Sequence, residues 1–204
     1  MRLKVLDVCC GLGGWSKPFL EAGDDVTGVD IVDVGYPGKL VVADIRTIVG
    51  GNFRGYDLII GSPPCRDFST AANGNKGYHG RRQPDPSAGL ELVGHFERIV
   101  IEARPLLWAM ENVRAMEKWK LKILGELPTW HFKISKGGYR TLWANWKPIL
   151  RPQFEFSREL ERINSPRRLL SWVRAEIPRP IADFVAGSAR ETVERLIEIR
   201  RVFA

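Results

Sequence analysis

Cys65 stands in the segment Gly61-Ser62-Pro63-Pro64-Cys65-Arg66-Asp67-Phe68-Ser69-Thr70, directly after an apolar run, Asp57-Leu58-Ile59-Ile60, that reads as a buried strand. The two prolines fix the backbone, remove two amide donors and keep the strand from continuing. A thiol is thereby presented from a stiff turn at a strand end, where ligands collect in open α/β sheets. Such a thiol is placed for nucleophilic attack. Taken alone, a buried structural cysteine in a proline-containing loop explains these residues equally well.

A second constellation precedes it. Asp7-Val8-Cys9-Cys10-Gly11-Leu12-Gly13-Gly14 runs from an apolar strand into a glycine-rich turn and a helix. Glycines there let the backbone approach a ligand, with helix-terminal amides facing it. The full G-x-G-x-x-G is absent, which favours an adenosine ligand other than a dinucleotide. Asp30, at the end of the next strand, is placed to accept from two ribose hydroxyls. Asp44 follows the third strand, where an acceptor would meet an adenine amino group. A tight turn, an exposed carboxylate and a helix cap are the structural alternatives for these three features. Their register across three consecutive strand ends favours a nucleoside site.

The elements that must hold these groups alternate between short apolar strands and helical patterns, which predicts a parallel sheet built from βαβ units. Strands are expected at Arg2–Val8, Asp25–Val29, Lys39–Val42 and Asp57–Ile60, with a helix from about Ser16 to Ala22. Residues 66–87 read as a long loop rich in Gly, Asn, Arg and Pro. Leu90, Val93, Phe96, Val100 and Ala103 recur at helical spacing, with Pro105 as the stop. Leu106–Met110 is a fifth strand ending at Glu111-Asn112-Val113, followed by a helix through about Lys122. Thr129–Ser135 and Tyr139–Asn145 are strand-like. Residues 147–171 are rich in proline and arginine with little periodicity. Pro178 and Pro180 open a terminal helix carrying Ile181, Phe184, Val185, Leu196 and Ile197.

The chain has 204 residues and 44% apolar content, enough for one α/β domain. No run approaches the roughly 18 apolar residues of a membrane span, and no charged region followed by an apolar one opens the chain. A soluble, cytoplasmic protein is expected. Cys9, Cys10 and Cys65, with His79, His95 and His131, match neither a disulfide framework nor a metal spacing, so no metal is expected. The net charge of +7 favours a polyanionic partner. Glutamine occurs only at Gln83 and Gln153, among many charged residues, which hints at a heat-adapted source.

Taken in order, these segments resemble the cytosine-C5 DNA methyltransferase family, over roughly residues 2–145 and 172–190. Asp7–Trp15 resembles its first motif, Gly28-Val29-Asp30 and Ala43-Asp44-Ile45 its second and third. Gly61–Ser69 resembles the Pro-Cys motif and Glu111-Asn112-Val113 the Glu-Asn-Val motif. Gly138-Tyr139-Arg140-Thr141-Leu142-Trp143 resembles a shortened arginine-bearing motif, and Arg174-Ala175-Glu176-Ile177-Pro178 the last one.

The resemblance implies a Rossmann-like S-adenosylmethionine-dependent methyltransferase: a mostly parallel sheet with helices on both faces, in a single domain over 1–204. It implies catalysis by Cys65, Glu111 and Arg140. S-adenosyl-L-methionine would be bound by Asp7, Cys9, Cys10, Gly11, Leu12, Gly13, Gly14, Trp15, Asp30, Ile31, Asp44, Ile45, Pro63 and Pro64. Nucleic acid would meet Ser62, Arg66, Ser69, Lys76, Arg81, Arg82 and Asn112, with the loop 66–87 closing over a flipped base. Cys65 would add to C6 of cytosine and make C5 nucleophilic, its thiolate favoured by nearby positive charge and dipoles. Glu111, its pKa raised by burial, would serve N3 and the exocyclic amine. Arg140 would contact O2 or fix the geometry around the sulfur.

The chain departs from the family pattern in one interval. Only about Trp146–Val173 separates the arginine-bearing motif from the last one, a short remnant (147–171) where a target-recognition domain is usual. It is too short for a second core. Three readings follow: DNA with short or loose sequence preference, a partner protein that supplies recognition, or an RNA (rRNA or tRNA) whose fold presents an unpaired cytosine. DNA is favoured. Methylation of the exocyclic N4, a non-catalytic nucleic-acid-binding subunit and a dinucleotide oxidoreductase are the remaining alternatives.

Overall fold

The computed structural model describes residues 1–68, 84–119, 130–133, 140–147 and 177–202. These form seven strands: β1 (Lys4–Val8), β2 (Asp25–Asp30), β3 (Lys39–Val42), β4 (Leu58–Gly61), β5 (Leu107–Val113), β6 (Trp130–Lys133) and β7 (Arg140–Ala144). The helices are α1 (Ser16–Glu21), α2 (Pro86–Ala103) and α3 (Arg179–Val202). All strands join one sheet in the order β3-β2-β1-β4-β5-β7-β6. Pairing is parallel from β3 to β5, and β7 runs antiparallel to both β5 and β6.

Both faces of the central strands are apolar, as a sheet covered on two sides requires. In β4, Leu58 and Ile60 face one core and Ile59 the other; in β5, Leu107 and Ala109 oppose Trp108 and Met110. The first core is closed by α1 and by α3, whose Ile181, Ala182, Val185, Ala186, Ala189 and Val193 recur at helical spacing. The second is closed by α2 through Val93, Phe96, Ile99 and Val100. Arg190 pairs with buried Asp24, which also accepts from the Leu3 amide at 2.9 Å, so α3 is fastened to the start of β1.

Asp85 caps α2 by accepting from the Ser87 and Ala88 amides, with Pro86 supplying a helix-compatible φ. The helix begins one residue before the expected Ser87 and ends before Pro105, at Ala103. After β5 the expected helix is instead a 3-10 turn, Arg114–Lys118, within the described residues. It buries Met116, with Ala115 and Trp119 packed beside it against the second core. Two further 3-10 turns, Ile45–Thr47 and Gly50–Phe53, bridge β3 and β4 and were not expected.

The strand order reverses between β1 and β4, the point at which α/β sheets open a crevice beyond their carboxyl ends. The glycine turn after β1 and the Pro-Cys turn after β4 are therefore brought side by side. Gly61 makes this approach feasible: a Cβ there would lie 2.6 Å from the Val8 carbonyl oxygen and 2.8 Å from the Phe96 ring.

Candidate active site

Side-chain alternation decides which groups share the crevice. Asp7 follows Val5 on β1, Ser62 follows Ile60 beyond β4, and Glu111 follows Ala109 on β5; all three lie on the face covered by α1. On β7, Arg140 shares that face with Leu142, the register partner of Glu111. Arg140 thus sits diagonally across from Glu111, and its Nη1 reaches Glu111 Oε1 at 3.2 Å.

Glu111 is 4% exposed. Burial pushes its carboxyl above the usual range, opposed by the Arg140 charge and by hydrogen bonds from Ser62 and Arg140. Ser62 in turn accepts from the Trp15 indole at 2.9 Å, which links the turn after β1 to the acid on β5.

Cys65 is half-buried, and its thiol is pushed up by burial first and by the Glu111 charge second, with Arg140 opposing. The expectation that local charge favours the thiolate is corrected here: desolvation and the neighbouring carboxylate outweigh the guanidinium. The same influences place Cys65, Glu111 and Arg140 in one electrostatic neighbourhood. Arg140 is held against Glu111, so it orients the acid in this structure.

The Pro-Cys turn is braced from two sides. Asn112 Nδ2 donates to the Pro63 carbonyl at 2.9 Å, and its Oδ1 accepts from the Val113 amide at 2.8 Å. Asn112 is fully buried, so the structure gives it the turn as partner. Asp67 Oδ1 accepts from the Asp85 amide at 3.1 Å, and Phe68 packs on Gly89 of α2. Pro63 is buried while Pro64 and Arg66 are exposed. Ser69, Lys76, Arg81 and Arg82 lie outside the described residues, as does the 147–171 interval from residue 148 onward.

At the glycine turn, Cys9, Gly11 and Gly13 all take positive φ (59°, 51° and 75°). A non-glycine residue in that region is strained and marks a turn whose shape is imposed by its surroundings. Gly14, Trp15 and Cys10 are buried and Leu12 is half-buried. Burial beside Asp7 and Asp30 pushes both thiols, Cys9 and Cys10, well above their ordinary value. Asp30 Oδ2 accepts from the Gly11 amide at 2.9 Å, joining the ends of β1 and β2. Ile31 is 62% exposed beyond β2, while Ile45 is buried.

Asp44 accepts from the Arg46 amide at 2.9 Å and pairs with the Arg46 guanidinium at 2.9 Å, so the structure shows it capping the Ile45–Thr47 turn. Thr141, Glu117 and Asn145 were not singled out as polar anchors; Asn145 bridges Trp108 and Leu106 of the β5 region, and Thr141 donates to Glu117 at 2.7 Å. Glu117 and Asn145 follow apolar strands, which is their only signal in the sequence, and Thr141 lies within β7.

Asp7 is fully buried; its Oδ2 accepts from Ser16 at 2.6 Å and its Oδ1 has no partner. A buried acceptor left open beside a strained glycine turn fits a ligand that brings a donor or a positive charge, such as the amino-acid end of S-adenosylmethionine. Asp30, one strand over, suits ribose hydroxyls. The residues present fit that cofactor.

Burial, with a smaller push from Asp30, raises Asp7 to about 7 against a hydrogen bond from Ser16. The unfolded chain gives up this proton near 3.8 and the fold holds it, so the associated stability is complete below 3.8 and lost as pH rises through about 7. Relative to Asp7→Asn, the ligand-free wild type should lose up to ~4 kcal/mol across that window. Urea denaturation of both proteins from pH 4 to 8 checks this. Parallel stability curves would show that Asp7 carries no such proton.

Among the described residues no group of His, Cys, Asp and Glu could hold a metal ion, and no helix is long and apolar enough to cross a membrane.

The doubly wound sheet with its glycine turn and reversal at β1/β4 defines a Rossmann-like methyltransferase fold. The same fold occurs in the crystal structure of a DNA modification methyltransferase encoded within an E. coli prophage, with a TM-score of 0.50 and 23% identity over 70% of this chain and 46% of that one. The model of the C-5 cytosine-specific DNA methylases matches residues 3–145, and the chain belongs to that family. The Type II methyltransferase M.AquIA of Picosynechococcus sp. is 43% identical over 136 residues, covering 58% of this chain and 52% of the relative. M.XorII of Xanthomonas oryzae pv. oryzae is 31% identical over 128 residues, covering 54% and 28%. M.HgiGI of Herpetosiphon aurantiacus is 32% identical over 126 residues, covering 54% and 90%. The chain thus spans 28% of M.XorII and 52% of M.AquIA.

Proposed function

We propose that this chain transfers a methyl group from S-adenosylmethionine to C5 of a cytosine in DNA, through a covalent bond between Cys65 and C6. One observation carries the reading. A half-buried thiol on a stiff turn shares its electrostatic neighbourhood with a buried, protonation-prone carboxyl that an arginine holds in place.

Cytosine C5 is too weak a nucleophile to take a methyl group unaided. Cys65 loses its proton and its sulfur bonds to C6, while Glu111 donates to N3, so the ring electrons collect at C5. The cofactor supplies an electrophilic methyl group on its sulfonium. Once C5 is methylated, its remaining proton passes to solvent, the C5–C6 double bond re-forms, and the C6–S bond breaks with its electron pair returning to Cys65. Glu111 takes back the N3 proton. Asp7, Asp30 and the turn Gly11–Gly14 are assigned to hold the cofactor, and Arg140 to orient Glu111.

A duplex hides C6, so the target base must leave the stack. Recognition is assigned to loose sequence preference or to a partner protein, because the interval 147–171 is short for a groove-reading domain. The protein incubated with labelled cofactor and with separate DNA and RNA pools should label DNA as 5-methylcytosine. DNA containing 5-fluorocytosine should leave a covalent protein–DNA complex, since fluorine cannot depart as a proton. Turnover without such a complex would overturn the covalent route, and labelling confined to RNA would overturn the substrate.

A further inference from the structure

Tyr36 lies in the segment between β2 and β3, outside every motif discussed above, and its position is set by three glycines. A Cβ on Gly28 would lie 2.5 Å from Tyr36 Cζ, one on Gly13 3.2 Å from its Cδ2, and one on Gly38 3.2 Å from its Cε1. Gly28 belongs to β2, Gly13 to the turn after β1 and Gly38 to the approach to β3. The ring therefore fills a slot kept open by Gly28 of β2 and Gly13 of the turn after β1, with Gly38, two residues along its own segment, beside it. Pro37 closes the same slot over Gly13, at 2.7 Å from a Cβ placed there. Asp33 Oδ1 accepts from the Gly35 and Tyr36 amides at 2.8 and 3.2 Å, which holds the segment in the turn that delivers the ring.

The hydroxyl end is equally determined. Tyr36 Oη lies 2.6 Å from Ser16 Oγ, and Ser16 Oγ lies 2.6 Å from Asp7 Oδ2. With Asp7 ionised, the single Ser16 proton goes to the carboxyl and Tyr36 donates to Ser16. The chain of donors runs one way, from Tyr36 through Ser16 to Asp7. It ends at a carboxyl whose other oxygen is buried and unpartnered.

We propose that Tyr36 is a positioning residue for the cofactor crevice: its ring spaces the turn after β1 against the segment after β2, and its hydroxyl, through Ser16, orients the carboxyl of Asp7. The inference rests on the assignment of this crevice to S-adenosylmethionine. The two elements it spaces are those assigned to the amino-acid end and to the ribose. An error in their separation would be felt as lost affinity, because both ends of one ligand must be met together.

The groups facing Asp7 are Ser16 on α1, Asp30 on β2, Cys9 and Cys10 on the turn, and Tyr36. Of these, Asp30 opposes ionisation of Asp7. A cationic ligand favours the ionised carboxyl, so affinity should rise with pH through the ionisation of Asp7. Removing the Tyr36 hydroxyl leaves Ser16 a weaker donor and moves that midpoint upward.

Calorimetric titration of S-adenosylmethionine into wild type and Tyr36→Phe, from pH 6 to 8.5, tests this, with melting temperature recorded for both. Tyr36→Phe keeps the ring and should fold. It is expected to bind ~3- to 10-fold more weakly at pH 8, the loss typical of one hydrogen bond, with its pH midpoint above that of wild type. Tyr36→Leu, which also loses the ring, should weaken binding further. A lowered melting temperature with unaltered affinity and midpoint would make Tyr36 a packing residue and overturn the proposal. Absence of binding by the wild type itself would overturn the cofactor assignment, and this inference with it.

Discussion

Cys65→Ala is expected to lower methyl transfer by at least ~10³-fold, because removal of a nucleophile eliminates the covalent route altogether. Cofactor affinity should stay within about twofold, since the thiol stands on the β4 turn and the groups assigned to the cofactor on β1 and β2. Stability should change little, as the thiol is half-buried and the turn is anchored by other residues. Those anchors are Asn112 on Pro63 and Asp67 on the start of α2. Single-turnover transfer of a labelled methyl group, with cofactor binding measured beside it, separates the two effects. Full activity in Cys65→Ala would exclude attack at C6 and direct attention to the exocyclic amine.

The wild type should also show a basic limb that follows the cysteine. Its thiol is raised by burial and by Glu111. Alkylation by iodoacetamide should therefore be slow at pH 7 and accelerate at higher pH. Removal of the Glu111 charge should bring that acceleration to lower pH, because the second largest influence raising the thiol is gone.

Glu111→Gln is expected to reduce transfer by ~10²- to 10⁴-fold, the range of a positioned general acid. An amide can still meet the exocyclic amine and Arg140, but it cannot deliver a proton to N3. Burial raises the Glu111 carboxyl, so it keeps its proton to a higher pH than a free glutamate. Activity limited by that proton should fall as pH rises through the folded value, and Glu111→Gln should lack this limb. The linked stability has the same sign: it is present below the ordinary glutamate pKa and lost as pH rises through the raised one. At neutral pH the uncharged Gln should therefore be tolerated by the fold. A pH–rate profile unchanged by Glu111→Gln would remove the acid from the mechanism.

The legible parts of the fold were those with a two-sided local signal. Val5-Leu6, Leu58-Ile59-Ile60 and Leu107-Trp108-Ala109-Met110 are continuous apolar runs, and each is a strand buried on both faces. The end of α2 was marked by Pro105, and α3 by its apolar spacing. The turns at Ile45–Thr47 and Gly50–Phe53 carry no such period. They are held by distant partners instead, the Gly50 amide by Glu102 at 2.6 Å and Arg98 by the Ile45 carbonyl at 3.4 Å. Arg114–Lys118 consists of helix-forming residues, so a linear reading expects a helix where the structure has a 3-10 turn.

For the site, residue types and strand-end positions were enough to nominate Cys65, Glu111, Asp7 and Asp30, each a polar or reactive group near the end of an apolar strand, whereas Arg140 was nominated only by the family resemblance. The sequence order of these groups also implied the sheet that carries them. Protonation and partnership were settled only in three dimensions. The thiol is raised instead of lowered because Glu111 and the surrounding core approach it from another strand, and Arg140 meets Glu111 because β7 returns antiparallel beside β5. Tyr36 gives no sign in a linear reading, since Gly13 and Gly28, which admit its ring, come from separate segments and form one slot only when β1 and β2 pack together. Chemical identity is a local property of the chain, whereas pKa, orientation and spacing depend on neighbours brought from a distance.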